Sequence, residues 1–477
     1  MRPAVVTALI IATALFMENM DGTVLATSLP AIAADLHEDP IVLKLALTSY
    51  MLTLAVFIPA SGWVADKLGA RTVFCSAIIV FTLGSVLCGA SSTLAELIGA
   101  RVFQGLGGAM MVPVGRLVLL RSVPKSEMVD SLAYLTVPAL IGPVVGPPLG
   151  GFITTYFQWR WIFWINVPIG LLGIALTLRF IANVRDQDVG RFDVKGFLLS
   201  GGGLLSLVFG LTVIGRSFVP AGVVVGLVVI GALLLALYVA HARRTPDAIL
   251  DLNLLKLPTF VSGVVGGFLF RLGIGAIPFL MPLLLQIGFG LSPFESGSLT
   301  FAAAAGAMAM KFSASRLIKH FGFRTILVSN AVISAVFLAS YGFIGAQTPH
   351  WLIFMGLLIG GFFRSLEFTA LNAIGYADVS QARMSRATSF ASVSQQMSSA
   401  VGVAVAAASV QGLQWGFGDA TLAPRDMQLS FFVVAAVSAA SVLIFLRLKP
   451  DAGAEVSGRA VAAAAAEPPQ TASAPAE

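Results

Sequence analysis

Charged residues are scarce in this sequence: they make up 11% of its 477 residues, whereas hydrophobic residues make up 57%. A soluble domain carries about 25% charged residues, so the composition excludes the ordinary soluble classes and indicates an integral membrane protein. Its two cysteines, Cys75 and Cys88, lie in one apolar segment, which leaves no disulfide framework or cysteine-based metal site. The four histidines are scattered without ligand spacing. We therefore expect no metal site.

Long apolar runs fill most of the chain. A helix of about 20 apolar residues crosses the hydrocarbon core of a bilayer, and by that rule the sequence predicts an all-α protein with fourteen transmembrane helices. They lie near residues 5–31, 45–65, 73–91, 95–120, 130–156, 161–184, 196–215, 220–240, 259–287, 293–318, 324–345, 351–376, 386–411 and 429–446.

The formal net charge of +6 has two explanations, nucleic-acid binding and membrane topology. Most Lys and Arg residues outside the apolar runs lie in short loops on the side of Met1, and cytoplasmic loops of membrane proteins carry such an excess. The bias predicts that both termini are cytoplasmic, which an even number of spans also requires. We expect a lipid bilayer around the chain and no nucleic-acid partner.

A charged turn separates the second and third apolar runs. Two glycines, an acid and two bases cannot lie in hydrocarbon, so the turn belongs at a membrane face; they are Gly62, Asp66, Lys67, Gly69 and Arg71. Residues 319–325 repeat its Gly and Arg-Thr with Lys319 in place of the acid, which indicates an internal repeat. The repeat predicts an N-terminal six-helix bundle (1–185), two inserted helices (186–254), a C-terminal six-helix bundle (255–449) and a disordered tail (450–477).

Four motifs resemble the major facilitator superfamily, and within it the fourteen-span drug:proton antiporter branch of QacA/EmrB type. The turn is similar to G-x-x-x-D-[RK]-x-G-x-[RK], residues 21–30 to the first-span motif, residues 101–105 to R-x-x-Q-G, and residues 142–151 to the antiporter motif G-x-x-x-G-P-x-x-G-G. Segments 241–246 and 278–283 are similar to the MdtD-like group of this branch. The resemblance covers residues 5–449 and implies a transporter driven by the proton gradient, with no cofactor.

Two of these motifs have a structural and a functional interpretation. The resemblance favours a conformational latch centred on Asp66, where the alternative is a solvated loop that only ends the second helix; Ala70 stands where the family often has a base. The fifth span is either a kinked packing helix or the helix that sets the direction of transport, because small residues allow close approach and Pro bends the helix. Its motif residues are Gly142, Pro143, Gly146, Pro147, Gly150 and Gly151.

Ionisable residues inside the spans are the strongest functional signal, since each costs about 3 kcal/mol on insertion scales. Glu18 and Asp21 lie three residues apart and therefore on one helix face, so their repulsion favours a proton on one of them. We predict that Asp21, with Glu18, is the proton-coupling site and that Arg101 assists it. The alternative is a structural ion pair between Arg101 and Asp21. Glu18 departs from the family, which has an uncharged residue there.

The substrate cavity has four candidate residues, Gln104, Arg271, Arg364 and Glu367. Arg364 and Glu367 are three residues apart, so they either neutralise each other or face the cavity. Arg271 has no acid nearby in sequence and either lines the cavity or reaches the membrane surface.

The most direct hypothesis is a proton-coupled efflux transporter that exports small amphipathic compounds by alternating access. A second hypothesis, an exporter of anionic metabolites such as carboxylates or metal–carboxylate chelates, is favoured by the excess of bases over acids among the ionisable residues considered within the spans. They are the acids Glu18, Asp21 and Glu367 and the bases Arg101, Arg116, Arg271, Lys311 and Arg364. A sensor usually carries a larger soluble domain, and an enzyme would need a nucleophile–base pair, a metal set or a phosphate loop, none of which is found. The family implies a monomeric carrier in a bacterial inner membrane.

Overall fold

The computed structural model describes residues 3–122, 128–183, 191–213, 219–245, 248–380, 383–419 and 421–457. Within these ranges the chain is helical and has no β-strand. We number its long helices in chain order: α1 Pro3–Asp35, α2 Lys44–Leu68, α3 Ala70–Ala90, α4 Leu94–Ser122, α5 Met128–Tyr156, α6 Trp161–Phe180, α7 Val194–Thr212, α8 Ala221–Ala242, α9 Pro258–Gly288, α10 Pro293–Lys311, α11 Phe323–Ser340, α12 His350–Ile374, α13 Met384–Phe417 and α14 Pro424–Phe445.

Twelve helices in the described ranges are long and apolar enough to cross a membrane. The other two predicted spans fall on α5 and α10, which pack closely against each other. The prediction of an all-helical membrane protein is therefore confirmed, while the count of fourteen membrane crossings stays a prediction.

Two helix pairs join the N-terminal and C-terminal helices, namely α5 with α10 and α2 with α13. Glycine makes the first contact possible: a Cβ on Gly151 would overlap the carbonyl of Pro293, and one on Gly297 would overlap that of Pro147. The amide of Gln286 adds a hydrogen bond to the carbonyl of Thr27, 2.8 Å away. These contacts lie at the end of the helices opposite the chain termini. The inserted helices α7 and α8 pack on each other, and α7 packs on α2 and α13.

The charged turn and its repeat have the same local structure. Gly69 ends α2 with φ 95°, and Gly322 occupies the equivalent place with φ 79°, a region that favours glycine because it has no Cβ. After each glycine an arginine donates to a carbonyl at the end of a later helix: Arg71 to Ile181 and Arg324 to Leu446, both at 3.3 Å. The sequence repeat therefore corresponds to a repeated contact.

The predicted division into bundles stays a prediction, and its first boundary, after residue 185, lies outside the described residues. The predicted disordered tail is described only to residue 457, and Ala454–Ser457 form one helical turn. The rest of that tail, residues 458–477, also lies outside the described part of the chain.

Candidate transport site

A buried polar cluster, which we call the Asp21 cluster, joins α1, α3, α4 and α6. The carboxylate of Asp21 is 2% exposed and accepts hydrogen bonds from Arg101 (2.5 Å), Gln104 (2.9 Å) and Asn166 (3.1 Å). Ser85 accepts from the amides of Gln104 and Asn166 at 2.8 and 3.0 Å. A buried ion pair is stable only when hydrogen bonds satisfy its remaining lone pairs and protons. The cluster meets that requirement at both oxygens of Asp21.

Arg101 has further partners that fix its position. Its Nε donates to the carbonyl of Ala46 at 3.2 Å, its Nη1 donates to Gln104 at 2.6 Å, and its guanidinium lies 4.2 Å from the centre of the Tyr50 ring. The Arg101–Asp21 ion pair that the structural alternative predicts is therefore present. Whether Asp21 also exchanges a proton stays a prediction.

Glu18 lies one turn from Asp21 on α1, as its spacing predicts, but it is outside the cluster. Its Oε2 is buried and has no hydrogen-bond partner within the described part of the chain. A buried carboxylate without a partner is costly. This oxygen is therefore the least satisfied acidic atom beside the cluster.

The antiporter motif forms a stripe of glycines that fits against α1. A Cβ on Gly142 or Gly150 would lie 2.9 Å from the carbonyl oxygen of Phe16 or 2.7 Å from that of Val24, and one on Gly146 would overlap the hydroxyl of Thr23. These residues are four apart and so share one face of α5. The motif therefore brings α5 against the helix that carries both predicted coupling acids.

A central cavity of about 310 Å³ lies between the N-terminal and C-terminal helices. Residues from α1, α5, α9, α10, α12 and α13 line it, including Thr23, Thr27, Pro143, Pro147, Arg271 and Arg364. Its walls are mainly apolar, and its two charged lining residues are both arginines. Two of the four predicted cavity residues, Arg271 and Arg364, therefore line this cavity, and a role in substrate binding stays a prediction.

The other two cavity candidates lie elsewhere. Gln104 is fully buried in the Asp21 cluster. Glu367 is fully buried on α12 and accepts a hydrogen bond from Asn330 on α11 at 3.1 Å. The predicted neutralising pair is also wrong: Arg364 and Glu367, both of which the structure describes, form no salt bridge, because Arg364 lies at the cavity wall while Glu367 faces α11.

Arg271 is held in place by polar contacts to the C-terminal helices. It donates to the carbonyl of Gly263 (3.3 Å) and to the side chain of Asn372 (3.1 Å), and its guanidinium lies 5.3 Å from the centre of the Phe368 ring. Its Nε has no partner among the described residues. Arg271 therefore presents a partly satisfied charge to the cavity.

The charged turn between α2 and α3 makes several contacts with neighbouring segments. Besides the bond from Arg71 to Ile181, Lys67 lies 4.6 Å from the ring of Trp63, and that ring packs on Phe192 beside α7. Asp66, the predicted centre of the latch, also has an interaction partner. A latch function for this turn stays a prediction.

Three polar residues of these sites were not found by sequence reasoning, namely Ser85, Asn166 and Asn330. Each is a buried hydrogen-bonding side chain within a span, and an asparagine in an apolar run is the signal by which two of them could have been found. Among the described residues, no group of three His, Cys, Asp or Glu side chains is arranged to hold a metal ion.

The Major Facilitator Superfamily model matches residues 11–243 and 263–473. The chain belongs to this superfamily. It is thus a membrane transporter and not an enzyme.

Its relatives include proteins described as "Putative multidrug resistance protein MdtD". The one from Serratia proteamaculans is 40% identical over 83% of both chains, and the one from Pectobacterium atrosepticum is 37% identical over 93% of this chain and 95% of its own.

Solved structures of transporters share the fold. The POT family transporter PepTSo has a TM-score of 0.69 at 14% identity, covering 92% of this chain and 97% of its own. The human organic anion transporter MFSD10 has a TM-score of 0.62 at 14% identity, covering 93% of this chain and all of its own. At these identities the likeness concerns the fold alone.

Proposed function

We propose that this transporter exports small amphipathic compounds and that inward proton flow through Asp21 drives the export. The observation that carries the proposal is the position of α1 between two sites. One face of α1 holds Asp21 in the buried cluster, and other residues of the same helix, Thr23 and Thr27, line the central cavity. A change in the charge of Asp21 therefore acts on the helix that forms the cavity wall.

The physical basis is the cost of burying an unbalanced charge. With Asp21 ionised, its pair with Arg101 is neutral overall and holds α1, α4 and α6 together. A proton on Asp21 leaves the Arg101 charge unpaired in a buried site, which is unfavourable. That arrangement is relieved when α1 moves relative to α4 and water reaches the guanidinium. The glycine stripe of α5 favours this movement because its glycines present no side chain to α1. The hydrogen bond between Ser28 and Thr154 lies nearer the C-terminal ends of the two helices.

Several features support the substrate class and the location. The cavity is mainly apolar, and relatives similar to this chain carry the description of multidrug resistance proteins. The loop charges favour an orientation with both termini in the cytoplasm and a place in a bacterial inner membrane. One chain contains the cavity and the acids, so we propose a monomeric carrier, with the turn around Asp66 as its cytoplasmic latch and no cofactor.

A second candidate function is the export of anionic metabolites. Its support is that Arg271 and Arg364 are the only charged residues among those that line the cavity in the described part of the chain. An arginine binds a carboxylate in a bidentate manner, which is stronger than most neutral hydrogen bonds. This candidate predicts that Arg271→Ala loses transport of an anion and retains transport of a cationic dye.

The test uses purified protein in liposomes with a pH-sensitive dye inside and an imposed proton gradient. We expect a lipophilic cation to trigger proton movement in the wild type and no movement in Asp21→Asn, because the asparagine cannot carry the proton. Asp193→Asn is the matched control, since Asp193 lies outside the spans and is also hydrogen-bonded. Full activity of folded Asp21→Asn contradicts the coupling role, and a response only to citrate favours the anion exporter.

A further inference from the structure

Glu367 is a fully buried acid on α12 with few polar contacts. Its side chain is 0% exposed, Oε2 accepts one hydrogen bond from Asn330 at 3.1 Å, and Oε1 has no partner among the residues that the structure describes. The other N–H of the same Asn330 amide donates to the carbonyl of Phe363 at 2.8 Å, so both donors of this amide are used. Asp21, by contrast, has three donors, one of which is a cation.

No described residue forms a salt bridge with Glu367. The cation that acts on it electrostatically is Arg271 of α9, whose hydrogen bonds go to Gly263 and Asn372 instead. Lys311 donates to Thr369 and Arg324 to Leu446. The titratable or cationic residues of α12 itself and of the segments packed on it are Arg271, Glu295, Lys311, Arg316, Lys319, His320, Arg324, Tyr341, His350 and Arg364. An ionised carboxylate buried without a counter-ion is very costly, and such a group takes up a proton instead.

Arg364 lies three residues before Glu367 on the same helix and makes no hydrogen bond or ion pair within the described part of the chain. Its guanidinium lines the cavity. Residues at this spacing on a helix are within reach of each other. The pair is absent in this structure, and a change in the side-chain conformation of Arg364 is the movement that would form it.

We propose that Glu367 is a proton-binding site and that its proton controls whether Arg364 faces the cavity. With the proton bound, Glu367 is neutral and Arg364 lies at the cavity wall, as in this structure. When the proton leaves to water, the resulting carboxylate attracts Arg364, the ion pair forms, and the cavity loses one positive charge.

The direction of this switch agrees with antiport of a cation. Its role in transport rests on the proposed function. A cationic substrate binds better after Arg364 has left the cavity wall, that is, after Glu367 has lost its proton. Protonation returns Arg364 to the wall and repels the cation. Because coupling is reciprocal, binding of the cation must release a proton from Glu367. Two arginines beside the cavity are thus compatible with export of cations.

Infrared spectroscopy of the purified protein tests the proton site without any transport. A protonated carboxyl group has a C=O stretch that a carboxylate lacks. We expect the wild type at neutral pH to show one more such band than Glu367→Gln, which retains the acceptor for Asn330. Glu38→Gln is the matched control, because Glu38 is exposed, and it should leave the band unchanged. Identical protonated-carboxyl bands in the wild type and in Glu367→Gln would overturn the proposal.

Proton release on ligand binding tests the switch. Tetraphenylphosphonium is added to weakly buffered, detergent-solubilised protein, and released protons are counted with a pH indicator. We expect Glu367→Gln to release about one proton fewer per bound cation than the wild type. Arg364→Gln should release fewer as well, because the carboxylate then has no cation to stabilise it. Equal release by the wild type and by both variants contradicts the switch.

The outcomes separate this inference from the proposed function. If Asp21→Asn abolishes proton-coupled transport and Glu367→Gln leaves proton release unchanged, the proposed function stands and the switch is wrong. If the Glu367 band and its proton release are found but Asp21→Asn transports normally, the proton site stands and the coupling role of Asp21 is wrong.

Discussion

The N-terminal and C-terminal helices each contain a buried acid, and the two acids differ in how many hydrogen-bond partners they have. In the N-terminal helices Asp21 has three donors, one of them a cation, so both carboxylate oxygens are satisfied. In the C-terminal helices Glu367 has one amide donor and no salt bridge among the described residues, while the nearest arginine in sequence lines the cavity. An acid with all its hydrogen-bond partners in place, such as Asp21, is held in one arrangement. Glu367 has an oxygen without a partner in the part of the chain that the structure describes and can therefore form a new contact. The two halves therefore share the contacts at the helix ends but differ in the charged side chains between the helices.

The largest effect that tests this contrast is expected for Arg101→Ala. Removing the cation leaves Asp21 charged and buried, which costs about 3–5 kcal/mol. Arg364→Ala should leave the thermal stability nearly unchanged, because Arg364 has no partner to lose. Thermal unfolding of both variants in detergent, followed by size-exclusion chromatography, measures the difference. Equal losses of stability in the two variants would mean that Arg101 and Arg364 contribute equally to the stability of the fold, which contradicts the contrast.

The next effect concerns close helix contacts, which both halves share. A Cβ on Gly107 of α4 would lie 2.6 Å from the carbonyl oxygen of Ala77, and one on Gly361 of α12 would lie 2.8 Å from the Cα of Ala303. Overpacking of this kind costs about 1–3 kcal/mol, so we expect Gly107→Ala and Gly361→Ala to lower the unfolding temperature. Nothing lies within 4 Å of a Cβ at Gly99 or Gly356 on the same two helices.

Gly99→Ala and Gly356→Ala are therefore the matched controls for the glycine prediction. Alanine in a helix is favoured over glycine by roughly 0.5–1 kcal/mol, so these two variants should be neutral or slightly more stable. A loss of stability in the controls as large as in Gly107→Ala and Gly361→Ala would show that helix packing is not the cause.

A smaller and equal effect is expected at the repeated turns. Arg71→Ala and Arg324→Ala each remove one hydrogen bond, of 3.3 Å, from a half-buried or exposed guanidinium to a helix-end carbonyl. Such a bond contributes about 1 kcal/mol. Chemical denaturation of the two variants measures it. If only Arg71→Ala also slows transport, the first turn has a latch function that its repeat lacks.

Much of the fold follows from the sequence because hydrophobic length determines it. Apolar runs of about 20 residues predict helices wherever they occur, and the similar sequences of the two glycine turns indicate the internal repeat. The site was harder to predict because helix periodicity says which residues share a face but not which neighbour that face meets. Spacing therefore placed Glu18 near Asp21 correctly and paired Arg364 with Glu367 incorrectly. The partners of Asp21 on α3 and α6 depend on tertiary packing, which a single sequence does not contain.

The smallest effect that we predict concerns Asp193, an acid as well bonded as Asp21 but located outside the spans. Burial opposes ionisation of Asp193, but hydrogen bonds from the backbone of Gly196, from His241 and from the backbone of Ile249 outweigh it and lower its pKa from 3.8. A lowered pKa stabilises the folded state at pH values above the ordinary pKa, and this contribution is lost as the pH falls through the pKa of the folded state.

Asp193→Asn should thus be less stable than the wild type at neutral pH by less than about 1 kcal/mol, and the difference should vanish in acid. Thermal unfolding at a series of pH values measures it, and a difference that persists in acid would assign the effect to packing. Asp193 and Asp21 each have three hydrogen-bond donors, so the number of donors does not distinguish them. A small loss of stability in Asp193→Asn beside a much larger one in Arg101→Ala would therefore show that burial within the membrane makes the Asp21 cluster costly to break.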